Sequence, residues 1–180
     1  MKSLITFCCG SLLLLTTLLP AQAESLPIAH EDVIAMTQQL EQRPLAAEAN
    51  NLRQQLYEWT VSTDDVHISV CDILGPIPSE QEIPYAKELM VQSFFGNAVY
   101  QLQHPQAKDN QLKLQMAGIR SMLAAYRNII KQDKAAHIPT YDNWLKALDN
   151  GKLAQQLLPT IARKCVRQDD PNPTQFALNF

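Results

Sequence analysis

The chain has 180 residues, 46% of them hydrophobic and 18% charged, with a formal net charge of -3. That balance supports one packed domain, and it excludes the basic footprint that nucleic acid or an anionic membrane surface requires. The five glycines are isolated, so there is no Gly-rich loop of the kind that cradles phosphate.

Residues 1–23 read as a cleaved export signal. Lys2 supplies the positive start, an apolar run extends from Leu4 to Leu19 around Leu12-Leu13-Leu14-Leu15, and Pro20 ends it. Ala21-Gln22-Ala23 then presents small residues at the two positions a signal peptidase pocket accepts, which predicts cleavage between Ala23 and Glu24. The run is shorter than the roughly 20 residues of a spanning helix, which argues against a retained anchor. Phe7 stands before Cys8 where a lipoprotein signal needs a small residue, and no cysteine lies at the cleavage point. The expected exported chain, periplasmic or extracellular, therefore comprises a single helical domain over 24–167 and a polar, Pro-containing tail over 168–180.

Cys8 and Cys9 leave with the signal, so Cys71 and Cys165 remain. In an oxidising compartment two cysteines far apart in sequence usually form a structural disulfide, and the pair lacks the spacing of a CxxC redox motif. Closing a loop of this length stabilises by about 4 to 5 kcal/mol in the chain-entropy picture, less any strain. The alternative is a free reactive thiol.

Beyond the signal the periodicity is helical. Val33, Met36 and Leu40 form a short stripe after the acidic opening Glu31-Asp32. Pro44 is expected in the first turn of a second helix, whose buried face is Leu45, Ala49, Leu52, Leu56 and Trp59. Thr63 to Cys71 breaks the pattern: Val66, Ile68 and Val70 alternate with His67, Ser69 and Cys71, the period of a half-buried strand. With no second good strand to pair it, this segment is read as an extended connector, followed by a stiff turn at Gly75-Pro76-Ile77-Pro78.

A third helix is predicted from near Pro84 to near His104-Pro105. Its apolar residues, including Leu89, Phe94, Phe95 and Val99, surround most of its circumference, which suits a central helix. Leu112, Met116, Ile119, Leu123, Tyr126 and Ile130 then share one face of the longest helix. A short helix follows Pro139 with Tyr141, Trp144, Leu145 and Leu148 inward, closed by Asn150-Gly151. The last carries Leu153, Leu157 and Ile161 towards Cys165, with Pro159 expected to bend it. The predicted fold is all-α: an irregular bundle of five or six helices with one short extended connector, pinned by a disulfide. No internal repeat is present.

Four stretches carry a resemblance: WTVSTDDVHISVCDILGP (59–76), AKELMVQSFFGNAVYQLQHP (86–105), QMAGIRSMLAAYRNIIKQD (115–133) and the closing Lys164-Cys165. Together, from about Val33 to Cys165, they resemble an uncharacterised family of small exported bacterial helical proteins. The resemblance implies export and a helical fold. It offers no catalytic residue to carry over.

No catalytic, cofactor-binding or metal-ligating set assembles from the sequence. His30, His67, His104 and His137 lack a partner at a recognised ligand spacing. His67, Cys71 and Asp72, with Asp64 and Asp65, form the one titratable cluster, but acidic neighbours raise a thiol pKa. The pairs Glu31-Asp32, Asp64-Asp65 and Asp169-Asp170 are adjacent residues that point apart, unlike the paired carboxylates of glycosidases. Ser69, Ser93 and Ser121 lack a GxSxG setting. Phe176, Leu178 and Phe180 alternate like a barrel strand, yet a barrel needs many such segments; they are read as a flap or short strand docking on the domain. Tyr85, Phe94, Phe95, Tyr100, Tyr126, Tyr141 and Trp144 serve core packing first and could line a groove second.

The leading expectation is a non-catalytic exported protein that binds another protein or an envelope component, with no cofactor and no membrane span after cleavage. The rivals are an enzyme with an unfamiliar site near His67, Cys71 and Asp72, and a small-molecule carrier with a pocket between the 84–104 helix and its neighbours.

Overall fold

The computed structural model describes residues 28–74 and 83–166. The expected export signal with its Ala23–Glu24 cleavage point, the turn at Gly75-Pro76-Ile77-Pro78 and the tail from 168 lie outside the described residues. Among the described residues six α-helices follow one another: α1 His30–Gln42, α2 Ala49–Ser62, α3 Ala86–Gln103, α4 Gln111–Gln132, α5 Pro139–Asp149 and α6 Leu153–Cys165. Among the described residues there is no strand, so the all-α reading holds.

The long stripe places α4 at the centre. Asn110 caps it by accepting a hydrogen bond from the Lys113 N–H at 3.1 Å, which satisfies one of the donors that a helix start leaves unpaired. Leu112, Met116, Ile119, Leu123 and Tyr126 are all buried, Ile130 is partly buried against the same core, and Ile129 joins the face fully buried. The most extensive packing among the described helices joins α4 to α3. Glycine at two positions permits it. A Cβ on Gly118 would stand 2.5 Å from the Ser93 carbonyl oxygen, and one on Gly96 would stand 2.2 Å from the Ser121 Cβ. The two backbones approach more closely than any larger residue allows.

Two cores flank this pair. One gathers α1 and α2 against α3 through Val33, Leu40, Leu56, Trp59, Phe95 and Ala98. The other gathers α5 and α6 against α4 through Tyr126, Tyr141, Trp144, Leu153, Leu157 and Ile161. The second also takes Leu45, and this corrects the sequence reading of Pro44. Residues 44–48 form a turn, and α2 begins at Ala49. Leu45 must reach one core while Ala49, Leu56 and Trp59 face the other, so one straight helix cannot carry all of them. Pro44 is buried in the turn, and its carbonyl accepts a hydrogen bond from the Arg53 guanidinium.

The predicted stops hold. Gly151 has φ of +68° just past α5, where glycine carries no Cβ penalty, and the Gly151 and Lys152 N–H groups bond the Leu148 and Ala147 carbonyls. At the start of α5 the Tyr126 hydroxyl accepts from the buried Ile138 N–H at 2.7 Å and donates to Asp142 at 2.8 Å. Pro159 lies inside α6 on its exposed side. The Gln155 carbonyl that Pro159 leaves unpaired belongs to an exposed residue, within reach of water. No helix among the described residues is long and apolar enough to cross a membrane.

Candidate binding cleft at the disulfide

The segment that breaks the helical pattern also builds the most site-like feature. An extended segment outside a sheet has main-chain groups with no ladder to satisfy them. Here side chains of the central helices substitute. Gln101, on α3 and fully buried, accepts from the His67 N–H at 3.0 Å and donates to the His67 carbonyl at 2.9 Å, as a paired strand would. Gln115 of α4 donates to the Ser69 carbonyl at 2.8 Å. At the start of the connector the His30 ring donates to the Asp65 carboxylate at 2.8 Å, and Lys108 donates to the Asp65 carbonyl. The His30 bond first, then Thr63 and the Lys108 charge, hold the Asp65 carboxyl below its usual range.

The far end of the connector is covalently fixed. Cys71 and Cys165 are bonded, with Cα atoms 5.4 Å apart, so the expected disulfide joins the connector to the end of α6. Lys164 reinforces the junction by donating to the Asp72 carbonyl at 2.6 Å and its carboxylate at 3.1 Å. The Tyr141 hydroxyl reaches the Leu74 carbonyl at 3.3 Å.

Between this fixed connector and the crossing of α3 and α4 lies a cleft of about 280 Å³. Its walls are Val70, Ile73 and Leu74 from the connector, Met90 and Phe94 from α3, and Ile119 from α4. Its polar residues are largely occupied by contacts within the fold. Ser93 donates to the Met90 carbonyl at 2.6 Å, Gln115 holds Ser69, and Asp72 faces Lys164. An apolar group can be sheltered here, whereas few polar groups are free to orient a reaction. The mouth is marked by Val70, 69% exposed and one of three large hydrophobic residues so displayed among the described residues. The strand-like alternation predicted it half-buried. The departure has a simple cause: Val66 and Ile68 meet the α1–α2–α3 core, while Val70 lies beyond its edge, over the cleft.

The candidate enzyme cluster takes a different form in space. Cys71 has no thiolate to offer while its sulfur is in the disulfide. His67 is exposed, and its main chain is what the fold grips. His104 ends α3 with its ring against the Tyr100 carbonyl at 3.1 Å, and His137 pairs with Asp142 at 3.1 Å. Among the described residues no group of three His, Cys, Asp or Glu side chains is placed to hold a metal ion. Of the described aromatic residues, Phe95, Tyr126, Tyr141 and Trp144 are buried in the cores, and Phe94 lines the cleft.

Sequence reading missed one polar cluster. Gln92 donates to Ser121 at 2.9 Å, Ser121 donates to Glu41 at 2.5 Å, and the Asn128 amide bonds the Glu41 carbonyl at 2.8 Å. Burial pushes the Glu41 carboxyl above its usual range, against the opposing effect of the Ser121 hydrogen bond. A hydroxyl beside a carboxylate suggests a nucleophile and its base. Ser121 is only 5% exposed beneath the Gly96 crossing, however, so no substrate reaches it. The cluster ties α1 to α3 and α4. Its signal was available: Gln92 interrupts the apolar residues of α3 at a core-facing position, where an amide needs a partner.

Compared with protein-family models, with curated proteins and with solved structures, the chain finds no match.

Proposed function

We propose that this is a non-catalytic exported binding protein that holds an apolar group of another protein or envelope component in the cleft beside the disulfide. The observation that carries the reading is the cleft itself: apolar walls, polar residues largely engaged within the fold, and an exposed Val70 at the mouth. Its size helps to choose the ligand class. Pockets that enclose whole small molecules usually measure about 300 to 1,000 Å³. A cleft of about 280 Å³ suits one or two side chains better than a carried metabolite. The disulfide and the Gln101 clamp hold the walls in place before a partner arrives, which limits the ordering entropy that binding must overcome.

The test is photo-crosslinking in cells that export the protein, with a benzophenone side chain at position 70. A discrete adduct is expected from position 70, absent when the same group replaces Glu58 on the exposed side of α2. The adduct from position 70 should also disappear when Phe94 is replaced by Glu in the same chain. Adducts of equal yield from both positions, or indifference to the Phe94 change, would remove the cleft from the account.

A further inference from the structure

The connector has two edges, and the fold uses only one. Successive residues of an extended chain turn their N–H and C=O groups to opposite edges. His67 exchanges both groups with the Gln101 side chain, and the Ser69 carbonyl accepts from Gln115, so the odd-numbered residues face α3 and α4. Ile68 and Val70 therefore face the other way, and their main-chain groups have no hydrogen-bond partner among the described residues. Each offers a donor and an acceptor, and the rise of an extended chain sets the two sets about 6 to 7 Å apart. Another extended main chain repeats donors and acceptors at the same spacing. A lipid chain has neither group, and a helix has spent both on itself.

The apolar cleft lies beside this edge. Val66 and Ile68 meet the first core, and Val70, on the same face of the connector, lines the cleft. In a hydrogen-bonded strand pair the residue opposite Val70 projects from that same face, its Cβ about 5 Å from that of Val70. Its side chain would stand over the space walled by Met90, Phe94 and Ile119. Charge adds a further requirement. Asp65 is held by His30 and Asp72 by Lys164, but Asp64, exposed at the α2 end of the connector, has no partner among the described residues. A cation on the incoming segment would meet it there.

We propose that the partner is a protein that adds an extended segment to the outer edge of the connector. The segment pairs its main chain with Ile68 and Val70, seats an apolar side chain in the cleft, and carries a Lys or Arg towards Asp64. The proposal rests on the binding reading above for its cleft, and adds a main-chain edge which that reading does not require. The edge supplies affinity with little regard to sequence, and the cleft selects one position. Gln101 and the disulfide hold the edge extended before the segment arrives.

The test selects linear peptides from a random phage-displayed library on the disulfide-bonded protein, with the Val70→Glu protein for counter-selection. The tightest peptide is then synthesised with a single N-methyl group at each main-chain nitrogen in turn. The expected peptides carry an apolar anchor with a Lys or Arg to one side of it. Methylation should weaken binding about tenfold or more at alternate nitrogens, whose N–H groups face the edge, and leave the intervening ones near the unmodified affinity. Saturating peptide should slow exchange of the Ile68 and Val70 amides about tenfold or more, and that of the His67 amide, already held by Gln101, far less. Peptides that lose binding to the Phe94→Glu protein yet ignore the position of the methyl group would overturn the edge pairing and leave the cleft reading standing. No enrichment, or enrichment of acidic peptides, would overturn the proposal, while crosslinking from position 70 decides the cleft reading on its own. Protection of Ile68 and Val70 that rises with protein concentration, without peptide, would assign the edge to a second copy and overturn the proposal as well.

Discussion

Gly118→Ala tests the closest approach in the fold. The new Cβ would meet the Ser93 carbonyl oxygen at 2.5 Å, whereas ordinary van der Waals contact begins at 3.4 Å. The obstacle is backbone in a long helix, so rotating a side chain cannot relieve it. The helices must separate by roughly 1 Å, or Ser93 must shift with its whole turn. Overpacking of this kind costs about 1 to 3 kcal/mol, and a rigid obstacle points to the upper end. Alanine returns up to about 1 kcal/mol of helix propensity. The net expectation is a loss of about 2 kcal/mol, which for a chain of this size lowers Tm by about 4 to 8 °C. Chemical and thermal denaturation followed by circular dichroism reads both quantities. Gly151→Ala is the comparison, since nothing lies within 4 Å of its added Cβ and only the φ of +68° opposes the change. A Gly118→Ala protein as stable as the wild type, or more so, would refute the close crossing and the placement of Ser93 beside the cleft.

Three further outcomes follow from the same geometry. Gln101→Met removes the bonds to His67 and leaves the buried Asn97 side-chain oxygen Oδ1 without its donor; we expect a loss of about 2 to 4 kcal/mol in urea denaturation, with the His67 amide losing its exchange protection. Tyr126→Phe strips the partner from the buried Ile138 N–H, which should lower stability by about 1 to 3 kcal/mol, with the loss centred on the start of α5. Glu41→Gln should raise stability at neutral pH. Burial lifts the folded-state pKa of Glu41, so the wild type is favoured below the ordinary carboxylate range and loses stability as pH rises through the lifted pKa. The gap between variant and wild type should therefore close in acid, and a gap that widens there would contradict the burial argument.

Most of the fold was legible in the sequence because helical burial repeats. The six positions from Leu112 to Ile130 specify α4, and Pro139 with Gly151 brackets α5, since each of these signals acts within a turn or two of itself. Pro44 misled because its signal is local while the constraint is not. Whether a helix starts there depends on which core Leu45 must reach. The candidate site was only partly legible. Its covalent anchor, Cys71 with Cys165, and its position beside the 84–104 helix could be read. The glutamine clamp could not, because an amide in a helix gives no hint of an extended segment 34 residues away that needs its hydrogen bonds. Val70 carried the same strand-like signal as Val66, and only the edge of the first core separates their environments.

The most direct test of the central claim, an apolar binding cleft with its mouth at Val70, is titration with an uncharged fluorescent naphthalene probe. The wild type should bind at one saturable site, and Val70→Glu should abolish that binding while leaving the denaturation curve within about 0.5 kcal/mol of wild type, as a surface change should. Absence of saturable binding, or binding indifferent to Val70→Glu, would contradict the account.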